Sequence, residues 1–277
     1  MATIAGELNL EDGPQPDGGF VDLHCHCLPG IDDGPATPAA ALDLCRALTD
    51  DGITTVIATP HQLGRYDGRN PGDSIKKAVA AWQSVLRDHG VPLTVLAGAE
   101  ARLDERIPAM LASGAVLTLA DQGVFFLLEL PLGADSDPLP LIRALSRRSV
   151  RTIIAHPERY RAVMRRPELA RAWVDQGACL QVNAGSVAGD FGAEIARTAW
   201  QLLSQPFPLL VASDAHDTHG RRPRMRLAAD LIERKLGRDA ARRACIENPW
   251  EILRSSAADQ AVRPQLELRF SAAAELN

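Results

Sequence analysis

The stretch Asp22-Leu23-His24-Cys25-His26-Cys27-Leu28-Pro29-Gly30-Ile31-Asp32-Asp33-Gly34 sets two histidines two residues apart at the end of a short apolar run, with paired aspartates in the turn that follows. Side chains alternate between faces along a strand, so His24 and His26 project to one side and Cys25 and Cys27 to the other. The same pattern, a short run of Val, Ile and Leu closed by a polar residue, recurs along the chain. Ile53 to Ala58 leads to His61, Leu93 to Ala97 to Glu100, and Val124 to Leu130 contains Glu129. Thr152 to Ala155 leads to His156, Leu180 to Val182 to Asn183, and Leu209 to Ser213 to Asp214-Ala215-His216.

Apolar runs without polar alternation read as parallel strands buried on both faces. Between them lie segments with helical spacing: Pro38 to Asp50, Ser74 to His89, Leu139 to Arg148, Pro167 to Gln176, Gly192 to Leu203 and Arg224 to Leu236. About seven strand-helix units at roughly 30-residue spacing predict an α/β fold, a (β/α) barrel, with a doubly wound open sheet as the alternative. In a barrel the carboxyl ends of all strands converge on one mouth, so the polar exits become neighbours around one site.

Composition narrows the classes of function. A chain of 277 residues with 46% hydrophobic content suits one α/β domain over residues 19–255, between a polar leader, 1–18, and a tail, 256–277. No apolar stretch reaches the roughly 18 residues that span a bilayer, and the leader lacks the pattern of a signal peptide. A net charge of −5 argues against a general nucleic-acid or membrane surface. Five cysteines with no CxxC pair indicate neither a disulfide framework nor a zinc ribbon, and fit a reducing cytoplasm.

The strand exits hold five of the seven histidines. Any one of them alone would read as a hydrogen-bonded core residue, but a His-x-His pair at a strand exit is a two-imidazole clip. Glu100 and Glu129 close apolar runs, where an unpaired carboxylate costs several kcal/mol. A metal ion or a buried arginine removes that cost. Asp32 and Asp33 have equal claims as ligand or as cap of the following helix. Imidazole and carboxylate without thiolate suit Mn²⁺, Zn²⁺ or Fe²⁺, and eight or nine such ligands call for two or three ions.

With these residues in view, the chain resembles the polymerase and histidinol phosphatase (PHP) superfamily of metallophosphoesterases, and within it the CpsB/CapC type of bacterial protein-tyrosine phosphatase. The likeness covers roughly residues 20 to 255. It is carried by the quoted stretch from Asp22 to Gly34 and by Ala58-Thr59-Pro60-His61, Gly98-Ala99-Glu100, His156-Pro157-Glu158-Arg159-Tyr160, Val182-Asn183-Ala184-Gly185-Ser186 and Ser213-Asp214-Ala215-His216. The resemblance implies a distorted (β/α)7 barrel and a trinuclear centre. His24, His26, Glu100 and Asp214 would hold one ion, Glu100, Glu129 and His156 a second, and Asp33, His61 and His216 a third. It thereby favours Asp33 over Asp32. Arg159 and Arg221 match positions that grip substrate phosphate, with Arg222 adjacent to the second.

The implied reaction is phosphomonoester hydrolysis by a hydroxide bridging two metal ions, with Mn²⁺ the expected metal and Fe or Zn as alternatives. The implied partner is the phosphotyrosine tail of a bacterial polysaccharide-associated tyrosine kinase; a homo-oligomer is compatible. A cysteine phosphatase is excluded, because no cysteine is followed six residues later by Arg. Two other readings share the site: a small-molecule phosphatase of the histidinol-phosphatase kind, and a non-catalytic metal-binding regulatory module.

Overall fold

The computed structural model describes residues 19–132 and 136–255, so the leader and the tail named above lie outside the described residues. All paired strands are parallel. One ladder joins β1 (Phe20–Cys25), β2 (Ile53–Ala58) and β4 (Thr94–Ala97). The other joins β3 (His61–Gln62), β5 (Glu100–Arg102), β6 (Phe125–Glu129), β7 (Arg151–Ala155), β8 (Cys179–Asn183) and β9 (Leu209–Ala212).

The two ladders are parts of one barrel wall. Only Thr59-Pro60 separates β2 from β3, and only Gly98-Ala99 separates β4 from β5. Gly98 N donates to Ala58 O at 3.0 Å and Glu100 N to Pro60 O at 3.3 Å, which carries the pairing across both breaks. The wall therefore has the seven strand positions read from the sequence. A proline is expected to rule out continued strand hydrogen bonds, yet Pro60 does not end the pairing. It lacks an N–H to donate, but its carbonyl accepts, and the ladder resumes with His61 opposite Glu100. The distortion lies at the seam between β9 and β1. There, among the described residues, contact is made by Asp214 N donating to His24 O at 2.8 Å, His26 N donating to Ala215 O at 2.9 Å, and the bridge between Cys25 and Ala215.

Helices cover the outside of the wall for reasons visible in their sequences. α1 (Pro38–Asp50) starts where the Thr37 hydroxyl accepts from Ala40 N and Pro38 presets the first turn. Its residues Ala41, Leu44, Cys45 and Leu48, three and four apart, are buried. α2 (Gly72–Asp88) buries Ile75, Val79, Trp82 and Leu86 with the same spacing. α4 (Leu139–Ser146), α6 (Glu168–Asp175), α8 (Ala193–Leu203) and α9 (Met225–Leu236) stand where periodicity predicts them. The sequence reading missed α3 (Ile107–Ala112), α5 (Arg161–Arg165), α7 (Ala184–Ala188), α10 (Arg238–Arg242) and α11 (Asn248–Arg254). Two turns or fewer are too short to show a period.

The apolar core is divided by the wall. The larger part packs strands against helices; the smaller includes Val21, Leu23, Ile57, Phe125, Leu127, Ile153, Ala155, Leu210 and Ala212, with Ile252 and Leu253 of α11. The strand period of two extends this smaller cluster toward the site. Phe125 and Leu127 share a face with Glu129, Leu210 and Ala212 with Asp214, and Cys179 with Gln181 and Asn183. An apolar floor thus turns into a polar mouth within each strand.

Candidate metal centre

His24, His26, Glu100, Glu129, His156, Asp214 and His216 are all buried, and Asp33 and His61 line the open side. All nine predicted ligands come together. Two of them sit on left-handed backbone: φ is 32° at His156 and 51° at Asp214. Residues other than glycine visit this region at a cost of about 1–3 kcal/mol. Both follow strand ends, β7 and β9, and the turn re-aims each side chain into the mouth.

Glu100 is the hub. Its Oε2 lies 3.4 Å from His24 Nε2, 3.4 Å from His26 Nε2 and 3.0 Å from His61 Nδ1, while Oε1 is 2.9 Å from His156 Nε2. Asp214 Oδ1 stands 3.4 Å from His24 Nε2 and 3.6 Å from both His26 Nε2 and His216 Nδ1. Asp33 Oδ1 is 3.3 Å from His61 Nε2 and 3.4 Å from His216 Nε2.

Ligand atoms within 4.8 Å of one another form four overlapping sets. His24, His26 and Asp214 form one, without the Glu100 that the resemblance adds to them, and Asp33, His61 and His216 stay together but gain a fourth member. His156 joins His24 and Glu100, Glu129 joins His61 and Glu100, and His26 joins Asp33, His61 and His216. Shared members are what bridging ligands between close ions require.

Neighbouring groups orient the imidazoles. His24 Nδ1 bonds Gln181 Oε1 at 2.8 Å, and His26 Nδ1 bonds Asp32 Oδ2 at 2.6 Å. With each Nδ1–H donating, both Nε2 lone pairs turn to the centre. Asp32 also accepts from Gly34 N and His61 N, so it holds two ligands in place, and Thr37 caps α1 instead. His216 Nδ1 donates to Asp214 O at 3.0 Å.

Electrostatics matches this division. Burial opposes charge on His24 and His61, yet Glu100 outweighs it in both, assisted by Asp214 at the first and Asp33 at the second, and raises them to about 9 and about 11. Burial likewise opposes ionisation of Glu100 and Asp214, but the imidazoles facing them hold both well below the carboxylate range. Burial lowers His156 and His216 to about 4, so these rings are neutral. Burial and the adjacent Glu100 charge push Glu129 up to about 7.

Two guanidinium groups meet this cluster at one atom. Asp214 Oδ2 accepts from Arg221 Nη2 at 2.6 Å, Arg159 Nη1 at 3.1 Å and Asn183 Nδ2 at 2.6 Å. Arg221 Nη1 also donates to His216 Nε2 at 2.7 Å, whereas Arg222 is exposed. The arginines open onto a pocket of about 200 Å³, also lined by Asp33, His61, Arg65, Arg102 and Glu129.

Divalent cations fit this donor set. Asp214 Oδ1 and His156 Nδ1 are buried without a hydrogen-bond partner, and bare acceptors in low dielectric are costly unless a cation meets them. Sequence reasoning missed Gln181, Arg102, whose Nε is 3.1 Å from Glu129 Oε2, and Tyr66, which stacks on His61 at 5.4 Å. Strand parity was the available signal for the first two, since Gln181 precedes Asn183 by two residues and Arg102 follows Glu100 by two.

The chain is similar to known proteins over most of its length. The tyrosine-protein phosphatase YwqE of Bacillus subtilis is 33% identical over 224 residues, spanning 79% of this chain and 85% of that protein. A crystal structure from work on B. subtilis YwqE and Streptococcus pneumoniae CpsB, described as metal-dependent tyrosine phosphatases, superposes with a TM-score of 0.77 at 30% identity. It covers 89% of this chain and 95% of the other. An organophosphorus hydrolase of Deinococcus radiodurans, at 18% identity and a TM-score of 0.52 over 84% of this chain and 92% of its own, shares the fold alone. The sequence profile for capsular polysaccharide synthesis proteins of the CpsB/CapC type matches residues 20–254, and the chain belongs to that family.

Proposed function

We propose that the chain is a metal-dependent phosphatase acting on phosphotyrosine, and that its substrate is the phosphorylated tail of a bacterial tyrosine autokinase that governs capsule or exopolysaccharide synthesis. Asp214 carries the reading. Its Oδ1 faces the imidazoles without a donor, and its Oδ2 gathers Arg159 and Arg221. One carboxylate so joins a cation-binding cluster to a pair of phosphate-binding groups.

His24, His26, Asp33, His61, Glu100, Glu129, His156, Asp214 and His216 would hold two or three divalent ions, Mn²⁺ first, with Fe or Zn suited to the same donors. When bound, such ions lower the pKa of an attacking water and offset charge on phosphoryl oxygens. Arg159 and Arg221 are 21% and 27% exposed, so both are reachable from the pocket. Their planar forks turn from Asp214 to the equatorial oxygens of the phosphate. Arg65 and Arg102 on the pocket wall add positive potential where a phenolate leaves. A cytoplasmic setting agrees with five free, buried cysteines; no described helix is long and apolar enough to cross a membrane.

The test is hydrolysis of a phosphotyrosine peptide by protein stripped of metal and re-supplied with Mn²⁺, beside a phosphoserine peptide and histidinol phosphate. Activity that returns with metal, is confined to phosphotyrosine and survives a thiol-blocking reagent supports the proposal. Preference for histidinol phosphate moves the substrate, and inertness of the loaded protein on all three leaves a regulatory module.

A further inference from the structure

Beside the metal pocket lies an open groove of about 770 Å³, against about 200 Å³ for the pocket itself. Leu132 and Arg159 line both, so the two adjoin. The groove runs between α5 and the start of α8, over a partly buried apolar bed of Met164, Phe191 and Ile195. Leu132, at 41% exposure, is one of two large hydrophobic residues left exposed among the described residues. The guanidinium of Arg159 lies over the Phe191 ring at 5.5 Å and stands where the two cavities meet.

The rim is cationic on a chain whose net charge is −5. Arg161 and Arg165 are exposed and have no carboxylate partner among the described residues. Among the described residues, Glu194 is the single acid of the lining, against Arg159, Arg161 and Arg165. A lone phosphate ester needs only the pocket. An extended peptide advances about 3.3 Å per residue with alternating side chains, so a chain whose phosphotyrosine occupies the pocket carries its next residues past Leu132 onto this bed.

We infer that the groove binds the residues flanking the phosphotyrosine of a peptide substrate, and selects peptides in which acidic residues for Arg161 and Arg165 alternate with apolar ones for the bed. This rests on the phosphatase reading above and extends it to substrate selection. The charges steer and orient the peptide, so their removal acts on KM and salt dependence more than on kcat.

The experiment compares the Mn²⁺-loaded wild type with Arg161→Glu/Arg165→Glu and with the milder Arg161→Gln/Arg165→Gln. The substrates are a phosphotyrosine peptide flanked by Asp and Glu, the same peptide flanked by Lys, and p-nitrophenyl phosphate. The wild type should favour the acidic peptide by about tenfold in kcat/KM, on the scale of rim charges. Charge reversal should erase or invert that preference through KM, the neutral variant should fall between, and p-nitrophenyl phosphate should turn over unchanged. Equal use of both peptides by the wild type, or a parallel loss on p-nitrophenyl phosphate, would overturn the inference. Fluorescence anisotropy of the acidic phosphopeptide with the same proteins keeps the two readings apart. Absent hydrolysis with binding that still depends on Arg161 and Arg165 rejects the phosphatase and keeps the groove. Binding indifferent to both arginines, or vesicles of phosphatidylglycerol as the only ligand that senses them, rejects the groove.

Discussion

The floor and the mouth of this barrel are built from the same strands and hold together by opposite means. Phe125, Leu127, Ile153, Leu210 and Ala212 pack an apolar plug that neither pH nor metal can address. At and beyond the carboxyl ends of these strands stand Glu129, His156, Asn183 and Asp214, and there the carboxylates of Glu100 and Asp214 face the charged imidazoles of His24 and His61. The floor contributes burial, about 1.5–3 kcal/mol for each large side chain. The mouth spends part of that on desolvated charge and left-handed backbone at His156 and Asp214. The difference teaches that folding and chemistry occupy separate layers of one scaffold.

The largest effect that could break this separation is expected at Asp214. Asp214→Ala removes the carboxylate shared by the imidazoles and both arginines, and should lower turnover on the order of a thousandfold, the scale of losing a key electrostatic group. Circular dichroism should be unchanged and metal content reduced; full activity would remove Asp214 from the centre. Phe125→Ala tests the other layer. It should cost about 3–5 kcal/mol in urea denaturation while leaving metal content and low-temperature kcat intact, and metal loss in this variant would show the layers to be coupled.

Smaller changes sharpen the boundary. Asp32→Ala strips the acceptor of His26 Nδ1 without touching a ligand atom, and should weaken metal affinity about 10- to 100-fold by calorimetry. An unchanged affinity would mean that packing alone orients His26. A further effect, visible only as a pH dependence, is expected from Glu158, buried against Asn183 and Ser186 and pushed up to about 7, chiefly by burial. Because its folded value lies above its ordinary one, the native state keeps a proton that the unfolded chain releases. Stability should therefore fall as pH rises from about 4.5 to 7, by at most about 1.4 kcal/mol per pH unit from this group. Glu158→Gln should flatten that slope in urea midpoints taken at pH 5 and pH 7.5.

Much of the site was legible because its residues obey local rules. His24 and His26 declare themselves by spacing, and His61, Glu100, His156 and Asp214 by their position after apolar runs. The short elements were not legible: α5 and α7 carry five residues each, below the length at which a helical period shows. Arg159 and Arg221 stood out only through family likeness, since a chain so rich in arginine gives little weight to any one.

The order of residues by itself determined the parallel strand-helix alternation, the barrel and the polar character of its mouth, because burial and periodicity act over a few residues at a time. Tertiary structure alone decided the supporting pairings: Asp32 behind His26, Arg221 rather than Arg222 at Asp214, and Gln181 behind His24. The last two partners are 157 residues apart in the chain yet 2.8 Å apart in space. Convergence of the strand ends on one mouth fixes such distances, and no local pattern encodes them.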